Sequence, residues 1–251
     1  EGRGGIGAPA NFLEINVDAN TPGVVGVLNA TDTASAATNW SIVSPPFNAA
    51  VSGTYGIFLS ETAGDMKVDV VDTTADVSLR TVAGSIVDAS NAGAGDAATN
   101  VFGQRIELDA NGAGADIGSA SNDLEIDSRR GSPANVDDVG LEATDNIYLA
   151  ETDGNLRLVI AHTYTGDIRL TVRESADLDE DFVLLQSGRA LFAEDGTTTP
   201  GNQADSSRLV PSGQVFAEGG SVRLLVGDDI NLHQNSEILA AESIDVYGDA
   251  N

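Results

Sequence analysis

The sequence predicts an all-β fold in the form of a parallel β-solenoid with about 21 residues per coil. The first observation behind this prediction is a three-residue unit in which two apolar residues flank a polar or aromatic one. Such period-two alternation is typical of half-buried strands. The unit begins at Ile57, Met66, Val77, Ile106, Leu124, Ile147, Leu156, Ile168, Val222, Ile230 and Ile244.

The second observation is the spacing of these units. A period near 21 residues with two or three short strands is roughly the length of one coil in a parallel solenoid. The spacing predicts about twelve coils, with stacked inward residues at Ile15, Leu59, Leu79, Leu108, Ile126, Leu149, Leu158, Leu170 and Leu224. The units that lie one such period apart form the pairs Ile57/Val77, Ile147/Ile168 and Val222/Ile244.

The third observation is that competing patterns are scarce. Gly, Asp, Asn and Thr interrupt nearly every ten-residue window, which disfavours helices. A sandwich of hairpins would require regular Asn-Gly or Asp-Gly turns. Such turns occur only at Asn111-Gly112, Asp153-Gly154 and Asp195-Gly196.

An internal duplication supports the repetitive architecture. Residues 6–17 match 117–128 at an offset of 111, and residues 55–68 match 145–158 at an offset of 90. The two offsets differ by one period, which predicts that the second copy lacks one coil. The duplicated Glu-Thr-x-Gly segments are expected to be turns in which Gly supplies a positive φ.

The chain 1–251 is therefore expected to be a single β-solenoid segment of a larger repetitive protein. Its internal repeat covers residues 6–90 and 117–178. A stretch at about 187–220, rich in Gly, Thr, Ser and Pro, is expected to be a loop excursion from one coil. Loops of this kind often provide contact surfaces.

Composition excludes several classes of function. The chain has 12 Lys+Arg against 39 Asp+Glu, a net charge of −27, which would repel a nucleic-acid backbone. The absence of Cys excludes disulfides, thiolate metal sites and cysteine nucleophiles. No stretch approaches the ~20 apolar residues of a membrane span. The acid excess is expected to form a solvated surface suited to a medium rich in salt or divalent ions; a GC-biased genome is the alternative explanation.

The pattern IGSASNDLEIDS, followed by NIYLAETDGNLRL and later by GGSVRLLVGDDINL, resembles the repeats of filamentous-haemagglutinin-type adhesins. These are large exoproteins that bacteria export by two-partner secretion. The similarity covers residues 55–90 and 101–251. It implies a right-handed parallel β-helix, an extracellular location at the bacterial cell surface, and a role in adhesion or surface assembly.

Asp177, Asp179 and Asp181 are the candidate metal ligands. Their alternation resembles the opening of a calcium-binding loop, but the sixth position is Phe182 instead of Gly and the twelfth is not Glu. A solvated acidic loop is the alternative. Ca²⁺ is the only cofactor that the sequence leaves open.

No catalytic residues are predicted, and we expect that the chain is not an enzyme. β-Helix lyases and hydrolases use paired carboxylates or a base on adjacent coils. The groups that come nearest to this pattern are Asp167 with Arg169 and Asp76, and His162 with Tyr164. Carboxylates fall within reach of one another by chance in any acidic solenoid.

The expected function is a structural and adhesive rod segment of a large secreted bacterial surface protein. Its expected partners are neighbouring copies or flanking repeats of the same protein, and host or matrix glycans or proteins, with no nucleic acid and no membrane insertion. Open coil ends would serve as templates for strand addition. The alternatives are a self-assembling module of an extracellular filament, sheath or surface layer, assisted by Ca²⁺, and a carbohydrate-active β-helix enzyme.

Overall fold

The fold consists of two parallel β-sheets. The computed structural model describes residues 6–8, 12–16, 28–32, 56–89, 98–129, 138–174, 180–185 and 213–249. In these residues the chain forms nineteen strands, and every strand pairing is parallel. The described part of the chain contains no helix that is long and apolar enough to cross a membrane.

Successive strands alternate between the two sheets, with three exceptions in which two consecutive short strands lie in the same sheet. Sheet 1 contains β1 (Leu13–Ile15), β3 (Gly56–Glu61), β5 (Asp76–Thr81), β8 (Ile106–Ala110), β10 (Asp138–Ala143), β12 (Leu156–Thr163), β14 (Phe182–Leu184), β15 (Gln214–Ala217), β17 (Ile230–Leu232) and β18 (Glu237–Ala240). Sheet 2 contains β2 (Leu28–Asp32), β4 (Met66–Thr73), β6 (Ile86–Asp88), β7 (Val101–Phe102), β9 (Leu124–Asp127), β11 (Ile147–Glu151), β13 (Ile168–Val172), β16 (Val222–Val226) and β19 (Ile244–Tyr247).

This alternation gives each parallel pair its crossover connection, because the strand of the opposite sheet lies between the two partners in sequence. The all-β, parallel architecture predicted from the sequence is confirmed. All three spacing pairs are direct neighbours in their sheets: Ile57 pairs with Val77, Ile147 with Ile168, and Val222 with Ile244.

The expectation of about twelve coils is wrong for the described residues, where each sheet has a continuous path of eight strands. The reason is insertions between strands. Ile106 pairs with both Val77 and Val139, and Leu13 pairs with Leu59. The two members of each of these pairs lie farther apart in sequence than the basic period. Insertions lengthen a coil without adding a new one to the stack.

The predicted inward residues form the core. Eight of the nine are fully or almost fully buried, and Ile15 is partly buried against the same cluster. They belong to one continuous apolar cluster between the two sheets, in which each residue stacks on its equivalents in the neighbouring strands. Burial of a Leu or Ile side chain of this kind stabilises the fold by about 1.5–3 kcal/mol.

The two copies of the internal duplication make the same backbone contacts in opposite sheets. Ile6 bridges to Ile57 in sheet 1, and Ile117 bridges to Ile147 in sheet 2. Ile15 then pairs with Glu61, and Ile126 pairs with Glu151. In both copies the paired strands are direct neighbours, so the expectation that the second copy lacks a coil is wrong. The longer connection in the first copy contains an insertion.

The Glu-Thr-x-Gly turns are also equivalent. Gly64 and Gly154 have φ values of 83° and 81°, as predicted from their position in these turns. The hydroxyl of Thr152 donates a hydrogen bond to the carbonyl of Ile126 at 2.9 Å, and Thr62 makes the matching bond to Ile15 at 3.0 Å.

A ladder of polar side chains joins successive coils just before the strands of sheet 2. Each side-chain oxygen accepts a hydrogen bond from a backbone N–H of the next coil, at 2.8 to 3.0 Å; the side chains are Asp65, Ser85, Asp116, Asn146 and Asp167. Part of the acid excess that we expected to be a solvated surface is thus used in hydrogen bonds between coils.

Candidate functional site

The last coil of the stack presents apolar residues to solvent. This terminal coil consists of β17, β18 and β19, and within the described residues each of its strands is paired on one side only. By register Val246 continues the inward row of Leu224, and Leu232 continues that of Leu184. Leu224 and Leu184 are fully buried, whereas Val246 is 47% and Leu232 is 52% exposed.

The opposite end of the stack is also open in the described residues. β1 pairs only with β3, and β2 pairs only with β4. Leu13 of β1 is exposed, although its neighbour Leu59 is almost fully buried. Unpaired parallel strands with an exposed apolar row are a template for the addition of a further strand. At this end the exposed apolar residue belongs to sheet 1, because Leu28 and Ala30 of β2 are buried. The terminal coil and β1 therefore form a candidate site for contact with another coil.

Of the three predicted metal ligands, Asp177 and Asp179 lie outside the described residues. Asp181 is described, and both of its carboxylate oxygens accept hydrogen bonds from protein groups. The backbone N–H of Asp229 donates to one at 3.1 Å, and the side-chain amide of Asn231 donates to the other at 3.0 Å. Asp181 thus joins β14 to β17.

Three other carboxylates converge next to Asp181. Glu174, Glu180 and Asp228 each offer one oxygen, and these oxygens lie within 4.8 Å of one another. Glu180 is fully buried, and its backbone N–H donates to Asp228 at 3.4 Å. In the sequence, acidic residues precede both Phe182 and Ile230. Because Phe182 pairs with Ile230, these two acidic segments lie next to each other in the structure.

The fold separates Asp76 from Arg169, two of the residues that came nearest to a catalytic pattern in the sequence. Asp76 lies on β5 of sheet 1, where Arg105 pairs with it, and Arg169 lies on β13 of sheet 2. The carboxylate of Asp167 accepts a hydrogen bond from the backbone N–H of Ser221 at 2.8 Å. The structure therefore does not bring Asp76 and Arg169 together, and it gives Asp167 a role in the ladder between coils.

His162 and Tyr164 do come together, with ring centroids 4.3 Å apart. The imidazole is fully buried and stacks on Phe216 at 5.5 Å. Its Nε2 lies 2.9 Å from a carboxylate oxygen of Glu218, and its Nδ1 lies 3.4 Å from Glu142. This arrangement positions the ring tightly between two strands of sheet 1.

Several carboxyl groups are held in buried surroundings. Burial raises the pKa of Asp109 well above its usual range, and the neighbouring carboxylates of Glu142 and Glu107 raise it further. Burial also raises the pKa of Glu151 well above its usual range, although the hydrogen bonds from Ser128 oppose this. These acids are therefore stabilised in their neutral form by the fold.

Comparison with models of known protein families, with curated protein sequences and with solved structures gave no match to this chain.

Proposed function

We propose that this chain is a structural and adhesive rod segment of a large secreted bacterial surface protein, a right-handed parallel β-helix with a basic coil of about 21 residues. The observation that carries the proposal is the open terminal coil, whose inward row is exposed at Val246 and Leu232. A coil added there would bury this row and pair the free strand edges, as every internal coil does.

The register of the two ends supports head-to-tail stacking. Ile238 of β18 continues the inward row of sheet 1 that contains Leu13. A coil that begins like β1 therefore matches the sheet 1 edge of the terminal coil. Contacts between unlike ends generate open rods instead of closed dimers.

Two sources could supply the added coil: a flanking repeat of the same chain, which gives a continuous rod, or a second copy, which gives a self-assembling filament, sheath or surface layer. If a second copy supplies the coil, the chain associates end to end in its native form. If a flanking repeat supplies it, the chain associates end to end only when its flanking repeats are missing. Host or matrix glycans or proteins would bind the outer faces, and no catalysis or nucleic-acid binding is required.

The experiment compares two lysine substitutions on the terminal coil. Val246→Lys places a charge in the exposed inward row, and Leu239→Lys places the same charge on β18 at an outward position. We expect sedimentation velocity to show end-to-end association of the unmodified chain and of Leu239→Lys at high concentration, with strongly reduced association of Val246→Lys. Circular dichroism checks that both variants fold.

A monomer at every concentration would contradict the open end as a contact site, as would equal association of the two variants. Location is tested separately. Antibodies against this segment, applied to intact cells that produce the full-length protein, are expected to label the cell surface. Labelling only after the cells are permeabilised would contradict the surface role.

A further inference from the structure

A groove crosses the outer face of sheet 2, between the loop that precedes β9 and strand β16. Its volume is about 300 Å³, at the lower end of the range for small-molecule sites. It spans four neighbouring strands, β9, β11, β13 and β16, and at about 4.8 Å per strand this gives a length of about 14 Å. Its lining includes Asp123, Glu125, Arg169, Arg173, Arg223 and Leu225.

A small residue separates the two sides of the groove on sheet 2. Ala150 on β11 lies between Glu125 and Thr171 in the same outward row, and it is fully buried.

Three arginines line this groove, although the whole chain has only 12 basic residues against 39 acidic ones. Arg169 is fixed in place: it pairs with Asp123, donates hydrogen bonds to two carbonyl groups of the loop before β9, and lies 4.6 Å from the ring centroid of Tyr148. Arg173 donates to Glu125 at 2.6 Å.

Arg223 differs from the other two arginines. Its guanidinium group lies 5.2 Å from the ring centroid of Tyr247, and it makes no ion pair or hydrogen bond with any described residue. It is exposed on the outer face of β16. A guanidinium group held by ring stacking keeps its five N–H donors available for a ligand.

Glu125 lies in the floor of the groove and is only 2% exposed. One of its oxygens accepts from Arg173, and the other has no hydrogen-bond partner among the described residues. An unpartnered buried oxygen is unfavourable, and a ligand hydroxyl would satisfy it. Burial raises the pKa of Glu125 to about 7; the charge of Arg173 opposes the increase, and the charges of Asp88 and Asp123 add to it.

We propose that this groove binds a uronic acid residue of an acidic polysaccharide. The sugar carboxylate accepts hydrogen bonds from Arg223 and Arg173. A sugar hydroxyl hydrogen-bonds the carboxyl group of Glu125, and the apolar face of the ring packs against Leu225.

A uronate fits the groove better than other anions do. A planar carboxylate pairs with a guanidinium through two parallel hydrogen bonds. Inorganic sulfate would offer no hydroxyl donor to Glu125, and a doubly charged phosphate would be repelled more strongly by Asp123. A neutral sugar would leave Arg223 without a counter-charge. The proposal depends on the groove alone, so it does not require that the chain forms a rod.

Binding is expected to depend on pH through Glu125. The charged groups that face it are Arg173, at the end of β13, Asp88 on β6, and Asp123 beside β9. When Glu125 takes up a proton, the groove loses one negative charge and Arg173 loses its counter-charge. Affinity for a carboxylate should therefore rise by up to about tenfold as the pH falls from about 8 to about 6.

The test is isothermal titration calorimetry on the full chain with a trimer of galacturonic acid, and with a trimer of galactose as the neutral control. We expect saturable binding of the acidic trimer and none of the neutral one. Arg223→Gln should weaken binding by about tenfold or more. Arg105→Gln, which removes an arginine that pairs with Asp76 on sheet 1, should leave the affinity unchanged.

Four results would overturn the proposal: no binding of the acidic trimer at about pH 6, equal affinity in Arg223→Gln, equal affinity for the neutral trimer, or equally tight binding of sodium sulfate. Glu125→Gln keeps the shape of the side chain and mimics its protonated form, so it should bind the acidic trimer without the pH dependence. If its affinity still changes with pH as in the unmodified chain, the assignment of Glu125 is wrong.

Discussion

The two copies of the internal duplication have the same backbone and different outer faces. In both copies an Ile bridges to the next coil, a Gly with positive φ follows, and a Leu-Glu-Ile strand pairs with the next strand. On the outer face, equivalent residues have different surroundings. Glu14 of the first copy is exposed, whereas Glu125 of the second is buried at the floor of a groove.

Inward residues specify the fold, whereas outward residues are available for binding. Inward residues and glycines are constrained by the next coil, so the duplication preserved them. Outward residues contact side chains of neighbouring coils, and these neighbours differ between the copies. In the second copy the strand after β11 is β13, and Arg173 at its end pairs with Glu125. In the first copy the equivalent strand is β5, which carries different outward residues.

The largest expected effect comes from the leucines that the two copies share. Leu124 is fully buried, whereas its equivalent Leu13 is exposed at the end of the stack. Leu124→Ala should reduce the free energy of unfolding by about 2–5 kcal/mol, and Leu13→Ala by less than about 1 kcal/mol. Urea denaturation measures both. Equal losses would mean that the first copy is covered as completely as the second.

The shared glycines provide the next test. A Cβ on Gly118 would lie 2.1 Å from the carbonyl oxygen of Tyr148, and the φ of 69° is unfavourable for alanine. Gly118→Ala should cost about 2–4 kcal/mol. Gly7→Ala makes the matching clash with Phe58 at 2.2 Å. It should cost less than Gly118→Ala, because its coil lies at the open end and has room to shift.

Gly114→Ala is the control for these glycine variants. Its φ is 72°, but a Cβ at this position would have no neighbour within 4 Å. It should therefore cost only the backbone preference, about 1–2 kcal/mol. A cost for Gly118→Ala no larger than that of Gly114→Ala, measured by thermal denaturation, would show that the close approach between coils is not what preserves the glycine.

The inward-facing residues and their pairing could be predicted from the sequence, because period-two alternation and a spacing of one coil are direct consequences of stacking. Val222 and Ile244 illustrate this, since their spacing alone identified them as neighbours. The number of coils could not be predicted. An insertion such as the one between Leu13 and Leu59 lengthens a coil without changing the alternation of apolar and polar residues in the strands.

The groove on sheet 2 was not predicted from the sequence, although two of its arginines lie in predicted strand units. Arg169 and Arg223 are the middle residues of two predicted strand units, and the pairing of those units places them side by side on the outer face. The burial of Glu125 was not predictable in the same way. It depends on the side chain of Arg173, which lies two strands away across Ala150 and follows the end of β13.

The stability of the fold is expected to depend on pH through the buried carboxyl group of Glu125. The pKa of Glu125 is raised to about 7 by burial, so the folded chain keeps a proton that the unfolded chain releases near its ordinary value. The folded state therefore binds more protons, and stability falls as the pH rises from about 4.5 to about 7. The raised pKa values of Glu151 and Asp109 act in the same direction.

Glu125→Gln should reduce this pH dependence of stability by an amount of the order of 1 kcal/mol. Chemical denaturation at a series of pH values measures the effect. Parallel pH profiles for the unmodified chain and Glu125→Gln would mean that the carboxyl group is hydrated in the folded state, and the difference between the two copies would then be smaller than their burial indicates.

The smallest effects per residue are expected from the remaining outward carboxylates, which occur in both copies. Like charges on neighbouring coils lie about 5 Å apart, and each such contact at an exposed site costs about 1 kcal/mol or less. Cations that bind the folded chain preferentially relieve these costs by mass action. The melting temperature should therefore rise with NaCl and rise further with millimolar Ca²⁺, while Asp179→Asn alone changes little.

Calorimetry distinguishes this diffuse effect from specific binding. Diffuse screening gives no saturable heat of binding, and the stabilisation by Ca²⁺ should persist in Asp228→Asn, which removes one carboxylate of the cluster with Glu174 and Glu180. One or two tight sites that disappear in this variant would contradict diffuse screening and identify specific ligation. If neither NaCl nor Ca²⁺ changes the melting temperature, repulsion between outward carboxylates does not limit stability, because hydrogen bonds such as those of Asp116 and Asp167 already compensate for it.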